Sequence, residues 1–327
     1  MKPQIKYQKI LPVLLLILAF PNGNIMAQLA DSTGIDTGLR GAPRIQKIDS
    51  RSAALAGSTV ADIAGNSSVN MNPALIAFVR NSDAVEFNYY HNWNNNLVQH
   101  IITPPSISYK NHHFIFQTAL FHDGNGTGNI KGSAPLPVPD FTMFDLGLGY
   151  AISYENILSI GIYNNVSYGQ NTHSSDLWTY YSEIGVLYAP SRNITYGAVF
   201  RGLGRSIMYE FDESGASLLM DQRIRQVLEL GATLKFPVDS DRPQFAISFS
   251  NEKHFGRKGI WYKGGLEVNP APSISLRSGI IFEPDQKIYA PRYGIGINTR
   301  HLQLHFSISP KQLHAERFHQ AGLAVKF

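Results

Sequence analysis

The sequence predicts an all-β fold: a closed antiparallel transmembrane β-barrel of about fourteen strands, with a small N-terminal plug containing short helices. Three observations predict it. From Ala84 onward, segments of about eight to twelve residues alternate apolar with small or polar side chains at period two. The connections between segments alternate between short and long. The N-terminus reads as an export signal, which assigns the rest of the chain to a compartment outside the cytoplasm.

The signal is built from a positive stretch (Lys2, Lys6, Lys9), an apolar run from Ile10 to Phe20 and a small-residue cleavage site at Ile25-Met26-Ala27. That apolar run is about half the roughly 20 residues a spanning helix needs. No later stretch reaches that length without a charge, Gly or Pro, so a membrane-embedded mature chain must cross as strands. The expected division is residues 1–27 signal peptide, 28–49 an irregular Gly- and Asp-rich leader, 50–82 plug, and 83–327 barrel.

Charge and composition exclude several functions. The sequence pI is 9.1 and the formal net charge is +4. Three of those charges are the signal lysines, and no acidic residue precedes Gln28, so the mature chain is near neutral. With no basic tract, nucleic acid is not an expected partner. The absence of cysteine excludes a disulfide framework, a thiolate metal site, a catalytic Cys and lipid attachment through Cys. The 28 Gly, 16 Tyr and 18 Phe, with 16% charged residues, favour strands and turns over helices. A mean hydropathy of −0.13 disfavours a helical membrane protein but suits a barrel, whose strands show lipid only every second residue.

Taken in order, the first element is the small-residue stretch from Ser50 to Phe78. It has neither the length of a membrane helix nor the alternation of a strand, which makes it the plug. Within it, Asn72-Pro73-Ala74-Leu75 places a capping Asn before a Pro in the first turn of a short helix. Fourteen strand candidates follow, near 84–91, 97–109, 113–121, 142–153, 157–168, 180–189, 194–204, 226–236, 244–250, 260–268, 273–282, 292–298, 301–308 and 320–327. Phe144, Leu146, Leu148, Tyr150 and Ile152 share one face, and Asp145, Gly147, Gly149, Ala151 and Ser153 the other. Leu228 to Phe236 and Leu302 to Ile308 repeat the pattern. In the second candidate, Pro104 and Pro105 lack the N–H a ladder needs, so the strand must bulge or split there.

Short turns are read at 110–112, 155–156, 190–193, 269–272 and 299–300. Long connections are read at 122–141, 169–179, 205–225, 251–259 and 283–291. This sorting is what an outer-membrane barrel shows, with tight periplasmic turns and longer outer loops. The last strand alternates Leu323, Val325 and Phe327 outward and ends on an aromatic residue, the form of a C-terminal signal for the barrel-assembly machinery.

The stretch containing Ser50, Arg51, Ala53, Ala54, Leu55, Gly57, Asp62, Asn72, Pro73, Ala74 and Leu75 resembles the hatch signature of the FadL superfamily of outer-membrane barrels. Within that superfamily it is similar to the PorV/PorQ proteins associated with type IX secretion. The resemblance implies a non-enzymatic protein integral to the outer membrane and surrounded by its lipid. It would act as an accessory of protein secretion or surface attachment, with loops Asp123–Asp140 and Ser206–Gln222 docking secreted cargo or secretion-complex subunits. The alternative is FadL-like passive transport of a hydrophobic ligand through the lumen, with a lateral opening at the Pro104–Pro105 kink. A purely structural barrel is the second alternative.

Asn72 and Pro73 would fix the junction of plug and barrel. Arg51 and Asp62 would face lumen groups such as Glu183, Glu229, Lys235, Lys263, Glu267 and Arg277, which either hold the plug or merely hydrate the lumen. No catalytic, metal or cofactor site is expected. His301 and His305 lie roughly 13 Å apart on a strand, and the adjacent His112 and His113 point to opposite faces. His305 and Ser307 lack an acidic partner, and no Gly-x-Ser-x-Gly elbow is present. Tyr89, Tyr90, Trp93, Tyr150, Tyr163, Tyr180, Tyr188, Tyr196, Trp261, Tyr262 and Tyr293 are read as interfacial girdles, the alternative being the lining of a hydrophobic ligand channel.

Overall fold

The computed structural model describes residues 47–79, 84–92, 97–123, 127–128, 136–137, 141–171, 175–211, 217–237, 243–256, 259–283, 288–310 and 318–327. The signal segment, its cleavage site near Ala27, most of the 28–49 leader and Trp93 lie outside the described residues. So do most of the loop Asp123–Asp140 and part of Ser206–Gln222.

The chain begins with a one-turn helix α1 (Ser50–Ala54) and two 3-10 helices, Asn66–Asn70 and Pro73–Phe78. Strands follow: β1 (Ala84–Asn92), β2 (Leu97–Thr103), β3 (Ile107–Tyr109), β4 (His112–Asp123), β5 (Thr127–Gly128), β6 (Leu136–Pro137), β7 (Phe141–Tyr154), β8 (Leu158–Asn171) and β9 (Ser175–Tyr188). The rest are β10 (Ile194–Phe211), β11 (Ser217–Arg223), β12 (Val227–Phe236), β13 (Phe245–His254), β14 (Trp261–Ala271), β15 (Ile274–Glu283), β16 (Ile288–Asn298), β17 (Leu302–Ser309) and β18 (Phe318–Lys326). β5 and β6 form a separate small ribbon. Every other strand pairs antiparallel with its neighbour, and β18 closes on β1 from Ala84↔Lys326 to Asn92↔Phe318. β2 and β3 both pair with β4, and β11 and β12 both pair with β10. Each couple is therefore one interrupted strand, and the barrel has fourteen.

Closure leaves no unpaired edge, the condition for strands to stand in hydrocarbon. Parity does the rest. Leu148, Ile152, Phe249, Leu276 and Phe306 stand exposed on the outside, while Asp145, Ala151, Ser248, Ser250 and Ser307 are buried inside. An apolar exterior wrapped around a polar interior is inverted relative to a water-soluble protein, and it is the exterior a bilayer covers. Among the described residues no helix is long and apolar enough to cross a membrane.

Two irregularities interrupt the wall. The β2–β4 register runs to Ile102↔Thr118 and resumes at Ile107↔Phe114, so four residues, 103–106, oppose three. This bulge holds Pro104 and Pro105 and splits the strand as their missing donors require. The second irregularity is a register shift in β10 between Phe200 and Leu203, with Gly202 at φ +82°. Before it, Thr195, Val199 and Arg201 face inward; after it, Ser206 does.

The connections read as long loops at 169–179 and 205–225 are largely strand: β8 runs to Asn171, β9 starts at Ser175, and β10 and β11 pair out to Phe211↔Ser217. For the second of these the shift in β10 is the reason. The bulge resets the alternation, so the continuation of β10 falls out of phase. The aromatic girdle is also smaller than read. Tyr163 is 2% exposed inside the barrel, and Tyr90 and Trp261 share the inward parity, Tyr90 in tilted contact with buried Phe318 with ring centroids 5.2 Å apart.

Residues 47–79 fill the barrel near the short-turn end. Met71, Ala74 and Leu75 pack on Leu187 of β9. Val69 and Ile76 pack on Ile115, Ala151 and Tyr163 of β4, β7 and β8. These two apolar clusters are thus interfaces between the N-terminal segment and the inner wall, while a third, of Ile101, Ala119, Phe121, Met143 and Leu177, is made by wall residues alone.

Candidate functional site

The plug is folded by local rules. Asp49 caps α1, its carboxylate accepting from Ser52 N at 2.9 Å and Ser52 Oγ at 2.6 Å. Ala56 and Gly57 then take left-handed conformations (φ 59° and 71°), and Gly57 N donates to Ser52 O at 2.8 Å, ending the helix. Asn72 serves two purposes. Its Oδ1 accepts from Ala74 N at 3.0 Å, capping the Pro73–Phe78 turn. Its Nδ2 donates to Val60 O at 2.9 Å and to the wall carbonyls of Val186 at 3.1 Å and Ala198 at 3.4 Å.

Glycines on the inner wall seat the plug. Gly161 faces Gly185, Gly197 faces Gly231, and Gly265 faces Gly279 in register. A Cβ at Gly161 would lie 2.5 Å from the backbone of Pro73, and one at Gly279 would lie 2.5 Å from the backbone of Leu55. At these positions plug backbone rests on wall backbone, an approach that any larger residue forbids.

Charged groups flank the seat on both sides. Towards the short-turn end they form a chain: Lys235 Nζ to Asp62 at 2.9 Å, Asp62 to Arg51 Nη2 at 2.6 Å, Arg51 Nε to Glu267 at 2.9 Å, and Glu267 to Arg277 Nε at 2.6 Å. Burial alone would push the Asp62 carboxyl up. Arg51 and Lys235 outweigh it and hold the group below its ordinary range. Glu183, Glu229 and Lys263 do not join Arg51 or Asp62. They belong to a second cluster around Arg201, which meets Glu229 Oε2 at 2.5 Å and donates to Met71 O of the plug. Lys263 lies 2.6 Å from Glu252 and 3.2 Å from Glu229. Lys47, at the start of the plug, pairs with Asp145 and donates to Asn165 Oδ1 at 2.7 Å; its burial lowers the amine pKa despite Asp145. Arg201 and Lys47 escaped the sequence reading, although Arg201 carries the signal that marked Glu229 and Lys235, a charge at inward parity in mid-strand.

At the Pro104–Pro105 bulge, side chains replace the missing ladder. Gln117 Nε2 donates to Thr103 Oγ1 at 2.7 Å, and Tyr163 donates from its hydroxyl to Gln117 Oε1 at 2.9 Å. Thr103 and Gln117 are fully buried. Leu323 and Val325 lie half-buried on the outward face of β18, and Phe327 follows its end, 82% exposed. Below the plug, a vestibule of about 1330 Å³ opens at the short-turn end, with Arg51, Glu267, Arg277 and Phe78 in its lining.

No family model and no curated protein matches this sequence. Solved structures do match it in fold. The Ralstonia pickettii toluene transporter TbuX superposes with a TM-score of 0.60 at 12% identity, covering 87% of this chain and 99% of that one. The Pseudomonas putida toluene transporter TodX gives 0.57 at 12% identity, covering 86% and 96%. A Pseudomonas aeruginosa FadL homologue gives 0.54 at 12%, covering 84% and 96%. At these identities the likeness establishes a shared barrel fold and nothing of role.

Proposed function

We propose that this protein is a non-enzymatic outer-membrane channel that passively carries small hydrophobic molecules. One observation carries the reading: a closed fourteen-strand barrel whose lumen is occupied by its own N-terminal segment, seated backbone to backbone, in the fold of hydrocarbon channels. A polar solute needs a continuous aqueous path, which the seated plug obstructs. A hydrophobic solute needs only a route into the bilayer. The bulge at Pro104 and Pro105 supplies the place in the wall where the ladder is already broken, and the Gln117–Thr103 bridge closes it. The apolar exterior and the export signal support an outer-membrane location, with the short-turn end periplasmic, and Leu323, Val325 and Phe327 are the residues the assembly machinery would read.

The test is uptake of labelled toluene and of a labelled long-chain acid by liposomes carrying the purified protein. Faster entry than in protein-free liposomes is expected; equal rates would sink the proposal. The secretion-accessory reading rests on the resemblance of Ser50–Leu75 and on outer loops mostly outside the described residues, and nothing in the described geometry favours it over transport.

A further inference from the structure

We propose that the periplasmic vestibule is a docking site for an acidic segment of a periplasmic protein. The inference is independent of the transport reading, since it concerns the other side of the plug. Size is the first argument. At about 1330 Å³ the vestibule exceeds the ~300–1,000 Å³ usual for small-molecule sites and suits a stretch of polypeptide.

Charge is the second argument. Among the described residues the lining holds the cations Arg51, Arg192, Lys235, Arg277, Arg300 and Lys326 against the carboxylates Asp49, Glu86 and Glu267. Two of those carboxylates are also hydrogen-bonded by the plug. Asp49 accepts from Ser52, and Glu86 accepts from Asn66 N at 2.5 Å and from Ser67 N at 3.0 Å. Glu267, with Asp62 behind it, is the carboxylate in direct contact with the cations of the roof. The chain Lys235–Asp62–Arg51–Glu267–Arg277 holds three positive and two negative groups.

Hydrogen bonding is the third. Arg51 Nη1 is buried with no partner, and Arg277 Nη1 is met at 3.1 Å by the ring nitrogen of His305, an uncharged acceptor when the ring is neutral. Two guanidinium groups sharing one carboxylate leave a net positive charge in the roof of the vestibule, and that charge attracts a second carboxylate from the mouth. Arg300, in an exposed turn, and Lys326 carry the positive potential to the mouth, where it would steer an acidic partner inward.

The full chain in detergent, titrated with a short fluorescein-labelled poly-glutamate peptide, provides the test. Saturable, salt-sensitive binding is expected, with none for poly-glutamine, and about tenfold weaker binding when Arg300→Glu and Lys326→Glu are combined. Both substitutions lie at the rim, so heat-modifiable migration on gels should verify that the variant barrel is folded, and its uptake of labelled toluene should be unchanged. Arg300→Gln alone is the milder second variant, expected to weaken binding by a smaller factor. Absence of saturable binding, or equal binding by the folded rim variants, overturns the proposal. So does displacement of the peptide by acetate or phosphate at matched ionic strength, which would make this a site for free anions.

Discussion

At the scale of the residue, each glycine of the seat is a prediction. A valine at Gly161 or Gly279 would drive two methyl groups into plug backbone that cannot retreat. Overpacking of this kind costs about 1–3 kcal/mol, read as a lower unfolding temperature and faster proteolysis of the plug. Arg51→Glu sets a third carboxylate beside Asp62 and Glu267. It is expected to loosen the plug and raise the permeability of loaded liposomes to small polar solutes, and unchanged permeability would show that these charges only hydrate the lumen. Asp62 also fixes a pH dependence. Its folded value lies below the ordinary 3.8, so its contribution is fully present above about pH 4 and is lost as the pH falls through the folded value. Protection of the plug from an acid-active protease should stay flat from neutral pH to about 5 and decline only in stronger acid.

At the scale of the element, the interrupted strands behave differently from the regular ones. Gln117→Leu removes the donor that bridges the Pro104–Pro105 bulge and leaves Thr103 and Tyr163 without their partner. If hydrophobic solutes leave through the wall at this point, toluene uptake should rise in the variant while the barrel stays closed on β1 and β18. Arg201 makes the opposite kind of prediction. Replacing it with Met leaves Lys263 as the one lysine or arginine beside Glu229 and Glu252, and loss of one partner from such a buried cluster costs about 3–5 kcal/mol. A fall in unfolding temperature with no change in uptake is the expected result.

At the scale of the whole molecule, the architecture was readable because a barrel repeats one local rule. Each strand announces its own faces: Leu148 and Ile152 outward, Asp145 and Ala151 inward. Two kinds of information were not local. Partnerships such as Arg201 with Met71 and Lys47 with Asp145 join residues 130 and 98 positions apart, and nothing at either site names the other. Bulges hide because a single extra residue inverts the pattern downstream; Thr195, Val199 and Arg201 look inward, and so does Ser206. Pro104 and Pro105 escaped that fate, since proline declares a missing donor by its identity. The candidate site was legible in the same uneven way: Asn72, Arg51 and Asp62 could be named in advance, and of the six wall groups expected near Arg51 and Asp62, Lys235 and Glu267 meet them directly, while Glu183, Glu229 and Lys263 gather around Arg201 instead.

The glycine seat also bears on how the molecule comes into being. A sheet that curls around the segment 47–79 as it closes would bring plug backbone to wall backbone on several sides at once, as cloth is wound on a mandrel. Its seam, the pairing of β18 with β1, joins the last strand made to the strand that directly follows the plug.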